Sequence, residues 1–478
     1  MTSQPAPAAT AASPRTYYST TSICPHCGTL LPGKVVGLDD GVFVVRDCPT
    51  HGHLEGLACS DRAWFDRLPA FDVAPSPPTG PRRPVAHGCP ADCGLCAAHR
   101  QRAGTAAVEI SNECDQACPT CLADNRSTFR LTPAEVAKIA DDLLASQGAV
   151  DAFTLSGGEP TIHPQLFEIL EVLDRPAIAR IVINSNGRRI ATDDAFLDRL
   201  ARHPKVYVSL HYDGPAAPRL RGVEFARQQL ALDRLIRWNI KMVPLLLAAR
   251  DVNEADLGPV TLDLLTRSPA VKSVMLSMMA YCGSRGSQVP IDPRRRLTIP
   301  DALAAMESGT GGVLRRADFI PLPMPNPLCA AIGYFLVQDR EVVGLLPLAD
   351  QDRVIEHVAN AHFVDPGPEL EALLRLGIDT VYADPGRFRD PERVRSSFKA
   401  LLAELFPAGR RLEAAERRVI AENRIKTVYL MQFMDAWTFD SVRMSKCSCQ
   451  HFLPDGKVVP SCGYYTFHRG KDPRFADR

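Results

Sequence analysis

Between residues 106 and 278, short apolar runs alternate with stretches whose apolar residues recur at helical spacing. The runs Ala106 to Ile110, Ala152 to Leu155, Ile178 to Ile183, Lys205 to Leu210, Lys241 to Leu247 and Val271 to Met278 predict strands. Between them, Pro133 to Ala145, Pro164 to Leu173, Asp193 to Leu200, Phe225 to Arg237 and Ala255 to Leu265 predict helices. A strand joined to a parallel neighbour needs a crossover, and a helix is the usual one, so this order predicts a parallel sheet. Six such units fall short of the eight that close a barrel. The expected fold class is α/β, a partial (β/α)6 barrel over residues 106–290, with its site on the loops after the strand C-termini.

The flanks read differently. Residues 1–16 are rich in Ala, Pro, Ser and Thr and predict a disordered tail. Residues 17–72 predict a small β module, with strands Lys34 to Val36 and Val42 to Val45 about the turn Asp39-Asp40-Gly41. Residues 73–105 begin with a proline-rich linker, Ala74 to Pro84, expected to run extended over the surface. From 291 to 478 the pattern weakens to helices at Ile299 to Ser308, Glu369 to Leu376, Pro391 to Leu405 and Glu413 to Asn423, ending in a Cys-rich segment. No apolar run is long enough to span a membrane and no signal peptide is evident, so a cytoplasmic location is expected.

Hydrophobic residues make up 45% of the chain and charged residues 23%, as in an ordinary globular protein. Lys+Arg and Asp+Glu both number 55, which argues against nucleic acid as a partner. The basic runs Arg294-Arg295-Arg296 and Arg410-Arg411 read as solvated turns or phosphate contacts. Fifteen cysteines in a chain without a secretion signal point to metal sites rather than disulfides.

The densest chemistry follows the first barrel strand, in Glu113-Cys114-Asp-Gln-Ala-Cys118-Pro-Thr-Cys121. Three thiolates in one short loop can hold three irons of a [4Fe-4S] cluster, leaving the fourth iron free to chelate an amino-carboxylate. The second strand runs into Ser156-Gly157-Gly158-Glu159, where glycine allows close backbone approach and a carboxylate can accept from a bound amino group. Cys89, Cys93 and Cys96 repeat the triplet spacing after the linker and predict an auxiliary cluster. Cys447, Cys449 and Cys462 predict another, with Cys282 and Cys329 as candidate fourth ligands. Cys24, Cys27, Cys48 and Cys59 have the look of a one-metal site for zinc or rubredoxin-like iron, with His51 or His53 as an alternative to Cys59. Three ligands at the first site, four in the N-terminal module and eight at two auxiliary clusters would account for all fifteen cysteines. His163, just past the glycine motif, reads as a loop residue.

The Cys114–Cys121 motif paired with Gly157-Gly158-Glu159 closely resembles the radical S-adenosylmethionine (SAM) superfamily. That resemblance implies SAM as cofactor, electron transfer into its sulfonium, and a 5′-deoxyadenosyl radical that abstracts hydrogen from substrate. It assigns Cys114, Cys118 and Cys121 to the catalytic cluster and Gly157, Gly158 and Glu159 to the SAM amino group. It also makes pocket residues of Asn186, His211 and Asp213, in Asn184-Ser-Asn186-Gly187 and Ser209-Leu-His211-Tyr-Asp213. "CPHC…DCPTHG", "HGCPADCGLC" and "DGKVVPSCGYY" resemble tetraether lipid synthases and methylases of methanopterin-type cofactors. The likeness implies C–C bond formation on a lipid alkyl chain, or radical methylation of a pterin or lipid. A third expectation is an iron–sulfur electron carrier without catalysis. Expected partners are a small-molecule or lipid substrate, a flavodoxin- or ferredoxin-type electron donor and a peripheral membrane contact. For a lipid, a long channel lined by Leu, Met and Phe is expected to extend from the Cys114 cluster.

Overall fold

Four antiparallel strands open the fold in the computed structural model: β1 (Arg15–Ile23), β2 (Leu30–Leu38), β3 (Gly41–Cys48) and β4 (Gly52–Cys59), paired in that order. The structure describes residues 14–475 apart from 81–82, 95, 124, 126, 325, 339, 361–367 and 389, so the tail expected over 1–16 lies almost wholly outside the described residues. Both strands expected in this module are present, inside β2 and β3. The sheet docks on the C-terminal part of the chain. Buried Arg46 donates to the carbonyls of Trp437 (2.8 Å) and Ala436 (3.1 Å). Gly56 lies so close that a Cβ there would stand 2.3 Å from the Trp437 carbonyl oxygen.

The central alternation folds as read. β5 (Thr105–Ser111), β6 (Ala152–Gly157), β7 (Ile181–Ser185) and β8 (Val206–Leu210) pair in parallel and in sequence order. Isolated parallel bridges, Val208 to Met242 and His211 to Leu245, lead on to β9 (Leu245–Ala248), which pairs with β10 (Ser273–Met278). Helices Pro133–Gln147, Leu166–Leu173, Asp194–Leu200, Phe225–Arg237 and Glu254–Arg267 cover the outer face. The first starts at a reciprocal cap, Thr132 with Glu135, and ends at Gly148 with φ +76°, a conformation glycine adopts without strain.

The chain beyond 290 extends this sheet, which its helical reading did not anticipate. β11 (Ile320–Pro321), β12 (Ala330–Gln338) and β13 (Glu341–Gly344) form an antiparallel edge, and β14 (Ile425–Gln432) lies parallel to β10 and antiparallel to β12. At the other edge β15 (Cys449–Phe452) runs parallel to β5 and pairs with β16 (Val458–Pro460). Among the described residues the two edges do not pair, so the barrel is partial, as expected. The helices expected in this region are present at Ile299–Gly309, Pro368–Ala383, Pro391–Leu405 and Ala414–Arg424.

A filled parallel barrel buries both faces of its strands. Here β5, β6 and β8 are buried on both faces, but the inner face of β7, β9, β10 and β14 is half-open. On β7, Val182 and Asn184 are half-buried between buried Ile181, Ile183 and Ser185; on β10, Ser273, Met275 and Ser277 alternate with buried Val274, Leu276 and Met278. Register aligns Met275 with Leu245 of β9 and Tyr429 of β14, and Ser277 with Leu247 and Met431, all half-buried. These side chains share one face because strand neighbours alternate sides. The lumen is therefore lined but not packed shut.

Candidate functional site

At the C-terminal end of β5 the chain turns into the Cys114 loop, and the end of β6 lies directly on it. Gly158 N donates to Ser111 O (2.7 Å) and Glu159 N to Glu113 O (2.8 Å). A Cβ on Gly157 would stand 2.1 Å from Ser111 O, and one on Gly158 1.9 Å from Glu113 O. Here the glycines admit the cysteine loop's own backbone. From the other side Arg285 N and Gly286 N donate to Cys121 O (3.2 and 3.1 Å).

Each of the three sulfurs has a side-chain amide near it. Gln116 donates to Cys118 Sγ (3.0 Å), and the amides of Asn125 and Asn186 lie 3.6 Å from Cys121 Sγ and 3.9 Å from Cys114 Sγ. Asn186 also donates to Asp115 Oδ1 (2.8 Å), tying the end of β7 to the loop. Burial pushes the Cys114 thiol up to about 12 and raises Cys121 as well. A cation that replaces these protons, with amides pointing at sulfur, removes that penalty, so the donor set fits an iron–sulfur cluster.

Glu159, 1% exposed, is occupied by the chain itself. Its carboxylate accepts from Thr161 N (3.0 Å), Thr161 Oγ1 (2.6 Å), Ser185 Oγ (2.9 Å) and Asn186 N (2.7 Å). Burial raises its pKa against the pull of these donors. Asp213 is spoken for too: it pairs with buried Arg221 (2.9 Å) and accepts from Leu247 N (2.8 Å) and Gln228 Nε2 (3.2 Å). His211 differs. Its Nδ1 is out of solvent and without a hydrogen-bond partner, and burial pushes its pKa down to about 3, leaving a neutral ring. It follows Tyr207 and Ser209 at alternate positions, so it sits on the lumen side. His163 is a satisfied loop residue, bonded to Leu131 O (3.0 Å) and Gln165 N (3.1 Å).

In the N-terminal module, ligand atoms of Cys24, Cys27, Cys48 and His51 all lie within 4.8 Å of one another. His51 Nδ1 is 3.5 Å from both Cys24 and Cys48 sulfurs, and Cys27 is 3.9 Å from Cys48. These spacings suit a tetrahedral ion with bonds of about 2.0–2.3 Å, and three Cys with one His is a structural zinc set. Cys59 is the correction to the four-cysteine reading. Register pairs Cys48 with Gly52 but Cys59 with Val42, at the far end of the same hairpin, seven residues and roughly 20 Å along the strand. Its thiol, fully buried and bonded to Asp61 O (3.3 Å), is pushed by burial up to about 12. His53 points away to Asp47 (2.9 Å).

The other cysteines gather beside β15. Cys93 hydrogen-bonds Cys89 and feels Cys96 and Cys447, which together drive its pKa upward. Cys447 in turn lies near Cys462, Cys449 and Cys329, and Cys282 near Cys462. Missed by the sequence reading is Arg443, 1% exposed, whose Nη2 donates to Cys329 Sγ (3.4 Å). Arg294 pairs with Asp40 and Glu55, Arg295 with Asp251, Arg296 with buried Asp435, and Arg410 with Glu416.

A second feature lies at the opposite end of the strands. A cavity of about 180 Å³ is lined by Val182, Tyr207, Val243, Leu348, Leu374 and Phe398 among others, with Arg180, Lys272 and Glu422 also at its wall. Val182 and buried Tyr207 align across β7 and β8 on the inner face of the barrel. The expected channel was to start at Cys114; this cavity has Leu and Phe in its wall but neither Met nor any residue of the Cys114 loop.

A three-cysteine loop after the first strand of a partial barrel, buttressed by a Gly-Gly-Glu turn, defines a radical SAM site. Residues 84–258 match the Radical SAM superfamily, so the chain carries a radical SAM domain and is a radical SAM enzyme. Residues 16–60 match the HMPTM N-terminal zinc ribbon domain. The chain is similar to 7,8-dihydro-6-hydroxymethylpterin dimethyltransferase of Methanocaldococcus jannaschii, 23% identical, with 94% of each chain covered. Among solved structures, Streptococcus suis SuiB bound to precursor peptide SuiA gives TM-score 0.32 at 15% identity, over 37% of this chain and 40% of that one. Methylornithine synthase (PylB) gives 0.33 at 17%, over 44% and 64%. This chain thus matches about two fifths of SuiB. Among the described residues no helix is long and apolar enough to cross a membrane.

Proposed function

We propose that the enzyme forms a C–C bond at an unactivated C–H carbon of an apolar, chain-like substrate. The half-open barrel face carries this reading: Leu245, Leu247, Met275, Tyr429 and Met431 line it, and the apolar cavity lies at its far end. A ligand pocket that is mostly apolar with a few convergent polar groups selects an apolar substrate and orients it. A [4Fe-4S] cluster and SAM, bound at the Cys114 loop, would supply the hydrogen-abstracting chemistry that such a substrate needs. Cys114, Cys118 and Cys121 would hold the cluster, with Gln116, Asn125 and Asn186 beside its sulfurs. Glu159 acts here by fixing Asn186 and Thr161, and the unpaired, buried Nδ1 of His211 is a polar atom on the lumen side. We assign zinc to Cys24, Cys27, Cys48 and His51. The reductant is a flavodoxin- or ferredoxin-type donor.

A second reading, methyl transfer to a pterin, is favoured by the similarity to the Methanocaldococcus jannaschii protein over 94% of both chains. Anaerobic reconstitution with reductant and SAM, offered a lipid extract or a dihydropterin, separates the two by mass spectrometry. The first reading expects SAM-dependent lipid products joined through carbon. Turnover of the pterin alone, gaining single carbons, would replace it with the second.

A further inference from the structure

Among the described residues no carboxylate forms an ion pair with Arg443. Arg443 is 1% exposed, and its Nε and Nη1 have no hydrogen-bond partner. Nη2 donates to Gln432 O (3.0 Å) and Cys329 Sγ (3.4 Å). The carboxylate that senses it, Asp440, makes no ion pair with it and accepts instead from Tyr18 (2.7 Å), Thr20 (2.6 Å) and Val442 N (2.9 Å). A guanidinium cannot shed its proton, and a buried charge left unpaired is strongly disfavoured. The groups that face it are thiols, Cys329 and Cys462. Cys329 and Cys462 lie within electrostatic reach of Cys447, and Cys462 Sγ also accepts from Met434 N (3.2 Å). Thiols become the missing anion when they ligate metal, because the ligand is the thiolate.

We propose that Cys329, Cys447 and Cys462 hold an anionic iron–sulfur centre, and that Arg443 balances its charge and sets its reduction potential. This rests on reading the C-terminal cysteines as an auxiliary cluster, and it assigns Cys329 to that cluster. The reduction adds one electron and no proton, so the reduced centre carries one more negative charge. A fixed cation beside it stabilises the reduced form more than the oxidised one. Removing that cation lowers the potential.

The test uses the full chain, iron-reconstituted without oxygen, and a redox titration followed by electron paramagnetic resonance. Cys329→Ser identifies the signal, which it should remove or alter. Arg443→Met should bind as much iron as the wild type. At a fixed potential its Cys329-dependent signal should show at least tenfold less reduced centre, a shift of about 59 mV for one electron. Arg443→Lys should stay within about threefold, because the charge remains. Where Arg443→Met is insoluble, Arg443→Gln reads the same shift. An unchanged potential in the uncharged variant overturns the role of Arg443. A wild type with no signal sensitive to Cys329→Ser overturns the cluster reading beneath it.

Discussion

In the N-terminal module four ligand atoms from two turns of one antiparallel sheet already lie within 4.8 Å of one another. In the loop after β5 three thiols follow each other in sequence, and among the described residues they do not close into such a group. The first arrangement is made by strand register: Cys24 directly follows β1, β3 ends at Cys48, and the turns after them bring Cys27 and His51 to the same place. It supplies all four ligands of a tetrahedral ion and leaves no open position, which is how structural zinc is held. The second is held from outside, by the β6 glycines on one side and Arg285-Gly286 on the other. It supplies one ligand too few, which is what an open coordination position requires. The thiols differ accordingly. The Thr29 hydroxyl lowers Cys27 to about 6 and a bond from His51 lowers Cys48, whereas burial holds Cys114 near 12.

The largest way to break this comparison is Gly158→Ala. Its Cβ would meet Glu113 O at 1.9 Å, so the cysteine loop has to move. Overpacking of this kind costs about 1–3 kcal/mol. We expect loss of the Cys114-centred cluster and of SAM cleavage, with zinc retained, as read by iron and zinc analysis.

Next comes the closed site. His51→Ala should lose zinc and lower the melting temperature, since structural zinc contributes about 10–16 kcal/mol of binding in small zinc domains. Cys59→Ala should keep one zinc and cost about 1 kcal/mol, the loss of one buried heavy atom. Zinc lost from the Cys59 variant would restore the four-cysteine reading.

A smaller effect sharpens the contrast. In metal-free protein at pH 8, iodoacetamide should modify Cys27 roughly a hundredfold faster than Cys114. The thiolate of Cys27 is the form present above about 6, so its rate should fall as pH drops through that value. That of Cys114 should rise only as pH approaches 12. Mass spectrometry of the labelled peptides reads both.

The barrel was legible because its strands are near-continuous apolar runs and its helices keep one apolar stripe. β12 carried a comparable signal in Ala330–Gln338, a run of apolar and aromatic residues that a strand reading could have claimed. β14 did not. Its buried face includes Lys426 and Gln432, which give no apolar alternation. Lys426 is tolerated there because its Nζ caps helix carbonyls at Leu265 (2.6 Å) and Ser268 (2.7 Å), partners fixed by tertiary structure alone. The cysteine motif and the glycine turn were legible as a pair, but that Glu159 and Asp213 are saturated by their own chain was not. His51 was legible as an alternative to Cys59, since Cys48-Pro-Thr-His51 repeats the spacing of Cys24-Pro-His-Cys27. Arg443 had no signal at all. An arginine in Ser441–Ser445 reads as surface until β12 and the C-terminal strands enclose it.

The measurement closest to the central claim is 5′-deoxyadenosine release under anaerobic reduction, by wild type, Cys118→Ala and Cys48→Ser side by side. If the Cys114 loop is the open, reactive site and the module the closed one, the wild type releases 5′-deoxyadenosine and Cys118→Ala falls to background. Cys48→Ser then loses zinc but still cleaves SAM wherever it remains folded. Undiminished release from Cys118→Ala would contradict the account.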